Sequence, residues 1–124
     1  MPHLIIEHSA DIKKTSVTNL EKEIQAIMQA REGNFSADQC KCRSFSFDEY
    51  LVGYPDQTTA SFIHITLKAL SGRSIEVRKS LSEKIASFTD QFIKDLNLSS
   101  KRCDVSVDLV EMEKETYGKI RHEK

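Results

Sequence analysis

The chain has 124 residues, 30% of them charged, with a net charge of −1 and no tryptophan. This length suits a single domain, which we expect over residues 1–124. The balanced charge and the lack of tryptophan make a nucleic-acid surface a poor expectation, since such surfaces are basic and stack bases on aromatic side chains. No apolar run approaches the roughly 20 residues that span a bilayer, so we expect no membrane partner.

The amino-terminal residues and the cysteines predict the compartment. The first residues lack a basic segment and have an apolar run of only three residues, unlike a signal peptide. The three cysteines, Cys40, Cys42 and Cys103, are an odd number, which argues against a secreted disulfide framework. We therefore expect a cytoplasmic protein with reduced thiols.

The first half of the chain predicts a strand, a helix and a second strand. Residues 2–7 are typical of a short strand, and Ser16 is a candidate cap for the helix that follows. Gly33 is a plausible end of that helix. A strand with a period of two begins at Cys40. The apolar positions of the helix and this strand are Val17, Leu20, Ile24, Ile27, Met28, Phe45 and Phe47.

The second half repeats this order. Residues 53–56 predict a turn, residues 60–67 a strand, and residues 103–111 the last strand, with Val105, Val107 and Leu109 on one face. Between the two strands lies a longer helix that begins after residues 71–74. Its apolar stripe is Val77, Leu81, Ile85, Phe88, Phe92 and Leu96.

The element order is therefore βαβ followed by βαβ. We expect pseudo-repeats over about residues 2–52 and 59–111, with a tail at 112–124. Two such units side by side predict an α+β fold, a four-stranded sheet with two helices on one face. The opposite face would expose apolar pairs such as Phe45 and Phe47 or Val105 and Val107. Such a face favours an oligomer.

Pro2 is the first candidate for chemistry. If Met1 is removed, Pro2 presents a free secondary amine at the amino terminus. Burial and nearby cations disfavour an ammonium, so such a nitrogen could be a neutral base near pH 7. A proline that merely begins a strand is the alternative.

Three segments carry a resemblance to a known family: residues 2–7 (PHLIIE), 62–68 (FIHITLK) and 72–74 (GRS). At this spacing they resemble 5-carboxymethyl-2-hydroxymuconate Δ-isomerase of the tautomerase superfamily. The resemblance covers nearly the whole chain. It implies a homotrimer of βαβ-βαβ subunits, a catalytic amino-terminal proline, a small dicarboxylate substrate, and no metal or organic cofactor.

The same resemblance assigns cationic residues. It implies that Arg73 is catalytic, holding a substrate carboxylate and stabilising charge, as a guanidinium fork at a helix start does well. Lys41 aligns with a catalytic arginine of the family and Arg43 with a second arginine nearby. Both are substrate-binding candidates, and the sequence does not decide between them. A lysine lacks the bidentate fork, which leaves the choice of substrate open.

Other residues with chemical potential are set aside. The spacing of Cys40 and Cys42 is not that of a usual zinc site, and strand alternation puts both thiols on one side. His64 is expected to be a packed, hydrogen-bonded strand histidine. His3 is expected to point away from the Pro2 side of its strand.

These residues predict a cofactor-independent isomerase. Pro2 would take the 2-hydroxyl proton of 5-carboxymethyl-2-hydroxymuconate and return a proton at C5, giving the 2-oxo-3-ene isomer. The resemblance places this step in bacterial homoprotocatechuate breakdown. One alternative is a tautomerase of another 2-hydroxydienoate or of a phenylenolpyruvate-type substrate. The other is a non-catalytic trimeric binding protein that keeps Met1.

Overall fold

The computed structural model describes residues 2–30, 35, 39–53 and 60–124. Within these residues the elements are β1 (His3–Ser9), α1 (Lys14–Gln29), β2 (Lys41–Phe47), β3 (Ala60–Leu70), α2 (Ile75–Leu96), β4 (Arg102–Met112) and a 3-10 helix (Lys114–Thr116). The predicted order of strands and helices is confirmed. The expected helix end at Gly33 and residues 54–56 of the expected turn lie outside the described residues.

The four strands form one mixed sheet in the order β2-β1-β3-β4. The pairs β1–β2 and β3–β4 are parallel, while β1 and β3 are antiparallel neighbours at the centre. The starts of β1 and β2 therefore meet the ends of β3 and β4 at one end of the sheet. We call it the Pro2 end; His3, Lys41, Lys68 and Val110 are in register there.

The two faces of the sheet differ in what covers them. On the helix-covered face the central strands contribute fully buried residues, which are Leu4, Ile6, Ile63, Ile65 and Leu67. Val105 and Val107 also pack against this core, so the suggestion that they lie on the bare face is wrong. They alternate with the exposed Asp104 and Ser106, and the register with β3 decides which set turns toward the helices.

The other face, which we call the open face, carries Phe45 and Phe47 as expected. These residues are 52% and 37% exposed, against an exposure of at most 1% for the five core residues named for the covered face. The open face also carries the polar and charged residues His3, Lys41, Arg43, His64 and Lys68.

The first helix begins two residues before the expected cap. Lys13 takes the N-cap position, and the amide of Val17 already donates to the Lys13 carbonyl at 3.1 Å. Ser16 therefore lies inside the first turn rather than before it. The helix buries Val17, Leu20, Ile24 and Met28, as its period predicts.

The second helix buries a line that departs from the predicted stripe after Ile85. The buried residues repeat every four positions: Leu81, Ile85, Thr89 and Ile93. Thr89 is tolerated there because its hydroxyl donates to the Ile85 carbonyl at 2.7 Å. Phe88 and Phe92 flank this line half-buried, and Leu96 is 52% exposed. Across the described residues, no helix is long and apolar enough to cross a membrane.

Candidate active site

Pro2 directly precedes β1 and is buried. Its position in the alternation is that of Leu4 and Ile6, which face the helices. Its carbonyl oxygen accepts a hydrogen bond from the Lys41 amide at 3.0 Å, which continues the parallel ladder past the first paired residue. A proline has no amide hydrogen to give the sheet, so its nitrogen takes no part in the ladder.

Arg73 lies at the same end of the sheet, between the end of β3 and the start of α2. The segment around it explains the Gly-Arg-Ser motif. Gly72 has φ of +129°, where a side chain is strained, and an added Cβ would lie 3.1 Å from the Lys114 Nζ atom. Ser74 is the N-cap of α2, and its hydroxyl accepts from the Val77 amide at 3.2 Å. Arg73 is thus held beside a capped helix start, where the helix dipole favours an anion.

The guanidinium of Arg73 stacks on an aromatic ring. Its Cζ atom lies 3.9 Å from the centroid of Phe35, a residue from the chain between α1 and β2 that is only 8% exposed. This distance is that of a cation–π contact. Burial lowers the pKa of the Arg73 guanidinium from its ordinary value, and an arginine remains charged at neutral pH even so.

Lys41 and Arg43 are both on the open face, two residues apart on β2. The Lys41 Nζ atom donates to the Gln39 carbonyl at 3.3 Å. The Arg43 Nη1 atom lies 3.1 Å from the Nδ1 atom of His3. The two cations share the Pro2 end of the sheet with Pro2 and Arg73, but they project from the face opposite to the buried Pro2.

His3 points away from the Pro2 side, as expected, but it makes contacts that the sequence did not predict. Its Nε2 atom lies 3.0 Å from the Tyr117 hydroxyl, from the tail that follows β4. The pKa of His3 is lowered by burial, and then by the positive charges of Arg43, Lys41 and Lys68. The parallel register of β1 and β2 pairs His3 with Lys41, so the sequence could have predicted that His3 lies close to the cations of β2. Nothing in the sequence pointed to Tyr117 or Phe35.

The three cysteines are free thiols. The Sγ atoms of Cys40 and Cys42 are 3.6 Å apart, so both lie on one side of β2. Their hydrogen bond lowers the pKa of Cys40 and raises that of Cys42, and burial raises the pKa of Cys103 to about 11. Within residues 2–30, 35, 39–53 and 60–124, no three histidine, cysteine or acidic side chains form a metal-binding group.

His64 is a half-buried strand histidine with a hydrogen-bond partner. Its Nδ1 atom lies 2.6 Å from the Ser106 hydroxyl, on the neighbouring strand β4. The expectation of a packed, hydrogen-bonded histidine is met.

Solved structures share this fold at low sequence identity. A 5-carboxymethyl-2-hydroxymuconate isomerase from Deinococcus radiodurans R1 has a TM-score of 0.84 and 19% identity, over 98% of this chain and 90% of that chain. A 5-carboxymethyl-2-hydroxymuconate delta-isomerase has a TM-score of 0.79 and 19% identity, over 98% and 89%. A fused 4-OT wild-type symmetric trimer has a TM-score of 0.70 and 16% identity, over 91% and 88%.

The fold is that of the tautomerase superfamily, with its four-stranded mixed sheet and two helices. A family model for 5-carboxymethyl-2-hydroxymuconate isomerase matches residues 2–122. The chain belongs to this isomerase family. None of the curated protein sequences matches the chain.

Proposed function

We propose that the chain is a cofactor-independent isomerase that converts 5-carboxymethyl-2-hydroxymuconate to its 2-oxo-3-ene isomer in the cytoplasm, as a step of homoprotocatechuate breakdown. The observation that carries the proposal is the position of Pro2. It is buried at the start of β1, its carbonyl is bonded to the Lys41 amide, and it shares one end of the sheet with Arg73. Membership in the isomerase family adds support.

The reaction moves one proton and rearranges two double bonds. The free Pro2 amine, present once Met1 is removed, takes the proton from the 2-hydroxyl group. The resulting dienolate carries its charge between the oxygen and C5, and the prolinium returns a proton at C5. A ketone forms at C2, the C2–C3 and C4–C5 double bonds become single bonds, and a new double bond forms between C3 and C4. Burial of Pro2 disfavours a charged ammonium and so favours the neutral amine that this step requires.

Arg73 is proposed to hold a carboxylate and stabilise the dienolate. A fixed cation beside the developing charge lowers the barrier without reorganising during the reaction. The Phe35 ring and the capped start of α2 hold Arg73 in place. Lys41 or Arg43 is proposed to bind another of the three carboxylates of the substrate, and both are exposed at this end of the open face.

The working form is proposed to be a homotrimer. Phe45 and Phe47 are exposed together on the open face, and the edges of the sheet are β2 and β4. Both features favour association, because apolar patches and unpaired edge strands are unfavourable in water. Among the similar structures, the fused 4-OT proteins are symmetric trimers.

Two other functions fit the same fold. One is a tautomerase of a different 2-hydroxydienoate or of a phenylenolpyruvate-type substrate. The lysine at position 41 favours this alternative, because its point charge does not require a carboxylate in one bidentate orientation. The other is a non-catalytic trimeric binding protein, in which a retained Met1 would make the Pro2 nitrogen a non-basic amide.

The test combines mass and turnover on one preparation. Intact mass spectrometry reports whether Met1 is lost, and a spectrophotometric assay then compares the carboxymethyl dienol with 2-hydroxymuconate and phenylenolpyruvate. We expect loss of Met1 and the highest kcat/KM for the carboxymethyl dienol. A preference for another substrate would select the first alternative. Retained Met1 with no turnover would select the binding protein.

A further inference from the structure

Three side chains from distant parts of the sequence form a hydrogen-bonded chain at the Pro2 end of the open face. Arg43 Nη1 lies 3.1 Å from His3 Nδ1, and His3 Nε2 lies 3.0 Å from the Tyr117 hydroxyl. Arg43 comes from β2, His3 begins β1, and Tyr117 belongs to the carboxyl-terminal tail. The tail thus reaches the residue next to Pro2.

The donor and acceptor chemistry fixes the protonation of His3. A guanidinium has only donors, so His3 Nδ1 must accept the bond from Arg43 through its lone pair. The single proton of the neutral ring is then on Nε2 and is donated to the Tyr117 oxygen. An imidazolium would direct a second N–H at the guanidinium, so this arrangement requires a neutral His3.

The electrostatic surroundings of His3 favour the same state. Arg43 and Lys41 face it from β2, and Lys68 faces it from β3. Burial and these cations all lower the pKa of His3. Tyr117, from the tail, is the remaining titratable group in contact.

The contact with Tyr117 also anchors the tail. The rings of His3 and Tyr117 meet edge to face, with centroids 6.3 Å apart and planes at 69°. Tyr117 is half-buried, whereas Ile120, three residues further on, is 94% exposed. The tail leaves β4 where the Ser71 amide donates to the Met112 carbonyl at 2.9 Å, and it returns to the sheet at Tyr117.

We propose that His3 and Tyr117 are positioning residues for Arg43, and that Arg43 is consequently the second cation that orients the substrate. This rests on the proposed function, because Arg43 has a substrate to orient only if the chain is an isomerase. Lys41, whose ammonium bonds a backbone carbonyl, supplies charge without a fixed direction. Protonation of His3 releases Arg43, so substrate binding weakens in acid.

The first test needs no turnover. Nitrogen NMR of the histidine-labelled protein reports the tautomer and titration of each ring. We expect the His3 proton on Nε2 at pH 7.5, and a higher His3 pKa in Arg43→Ala because a cation and a donor to Nδ1 are lost. Tyr117→Phe should expose the Nε2 proton to faster exchange with solvent. A His3 proton on Nδ1, or an unchanged His3 pKa in Arg43→Ala, overturns the proposal.

The second test measures the positioning role of His3 by its effect on KM. His3→Leu removes the acceptor for Arg43 and should raise KM for the carboxymethyl dienol about fivefold, the effect of one net hydrogen bond, with little change in kcat. His3→Asn restores an acceptor, so it should return KM at pH 7.5 and abolish the rise of KM in acid.

His64→Asn is the matched control, since His64 is another histidine of the open face, bonded to Ser106 instead. It should leave KM and its pH dependence as in the wild type. Equal KM values for wild type and His3→Leu overturn the positioning role. An inactive wild-type protein with the expected NMR result counts against the proposed function, and still supports the arrangement of His3, Arg43 and Tyr117.

Discussion

The guanidinium carbon of Arg73 lies 3.9 Å from the centroid of the Phe35 ring. The ring is buried, so it gives the cation a fixed apolar support, and the capped start of α2 follows Arg73 directly in the chain. This contact explains how the side chain of a loop arginine is held in one direction.

Arg73→Ala should lower kcat/KM by the equivalent of about 2–4 kcal/mol, the usual cost of losing one charge-stabilising contact. Arg73→Lys should recover only part, because the point charge returns without the fork or the stacking plane. Phe35→Leu should cost less than Arg73→Ala, since the charge remains but loses its support. Steady-state kinetics on the dienol measure all three.

Arg102→Ala is the control for this series. Arg102 is an exposed arginine that pairs with Asp104 on β4. It should retain wild-type kinetics. If Arg73→Ala stays within about twofold of the wild type, Arg73 is not part of the site, which must then be redrawn around Lys41 and Arg43.

The burial pattern of α2 predicts that alanine substitutions at a buried and at an exposed position differ sharply in their effect on stability. Ile85 is fully buried, and Ile85→Ala should reduce the free energy of unfolding by about 2–5 kcal/mol through lost burial and a cavity. Leu96 is 52% exposed, and Leu96→Ala should change the free energy of unfolding by no more than about 0.5 kcal/mol. Urea denaturation followed by circular dichroism provides both values. Equal losses would contradict the burial found here.

Asp11 predicts a loss of stability in acid. Burial raises the pKa of this carboxyl. Hydrogen bonds from Ser61, Ser9 and the Asp11 backbone, together with the charge of Lys101, lower it by more in total, so the net pKa lies below the ordinary value of 3.8. The unfolded chain then binds a proton before the folded one does. The stabilisation from Asp11 is therefore complete above pH 3.8 and is lost as the pH falls through the folded pKa.

Asp11→Asn should flatten this dependence. Its free energy of unfolding, measured by urea denaturation from pH 6 to pH 3, should fall less with acid than that of the wild type. Asp48→Asn, at an exposed position after β2, is the control and should follow the wild type. The assignment to Asp11 is wrong if both variants keep the full acid dependence.

The open face predicts the oligomeric state. Sedimentation equilibrium at micromolar concentration should give about three times the monomer mass of 14.1 kDa. Phe45→Asp should weaken the assembly by placing a charge on the apolar face, while Leu96→Asp, on the exposed side of α2, should not. A wild-type monomer at this concentration would remove the basis for the trimer.

The sequence predicted the elements because their periods are clear. Alternation at Phe45 and Phe47, and the three- and four-residue spacing from Val17 to Met28, each match what was found. The face of the sheet on which each side chain lies was harder to predict. Val105 and Val107 alternate as well as Phe45 and Phe47 do, and only the register with β3 turns them toward the helices.

The contacts of the candidate site were less accessible to sequence reasoning, because they join segments far apart in the chain. Phe35 and Arg73 are in contact although they are 38 positions apart in the sequence, and Tyr117 and His3 are in contact although they are 114 positions apart. No local pattern encodes such pairs. The Gly-Arg-Ser motif, in contrast, could be recognised, because its positive φ at Gly72 and its cap at Ser74 are local requirements.

The central claim is that the Pro2 nitrogen is the base, and it is tested most directly by turning that amine into an amide. The chain that begins at Pro2 should be compared with one that carries a single uncleavable residue before Pro2, with both masses verified. We expect the extended chain to keep the sedimentation behaviour and circular dichroism of the shorter one, and to lose at least about a hundredfold in kcat, the contribution of a general base. The chain that begins at Pro2 should also show a pH–rate limb from one group with a pKa below about 8. Equal activity of the two chains would contradict the mechanism.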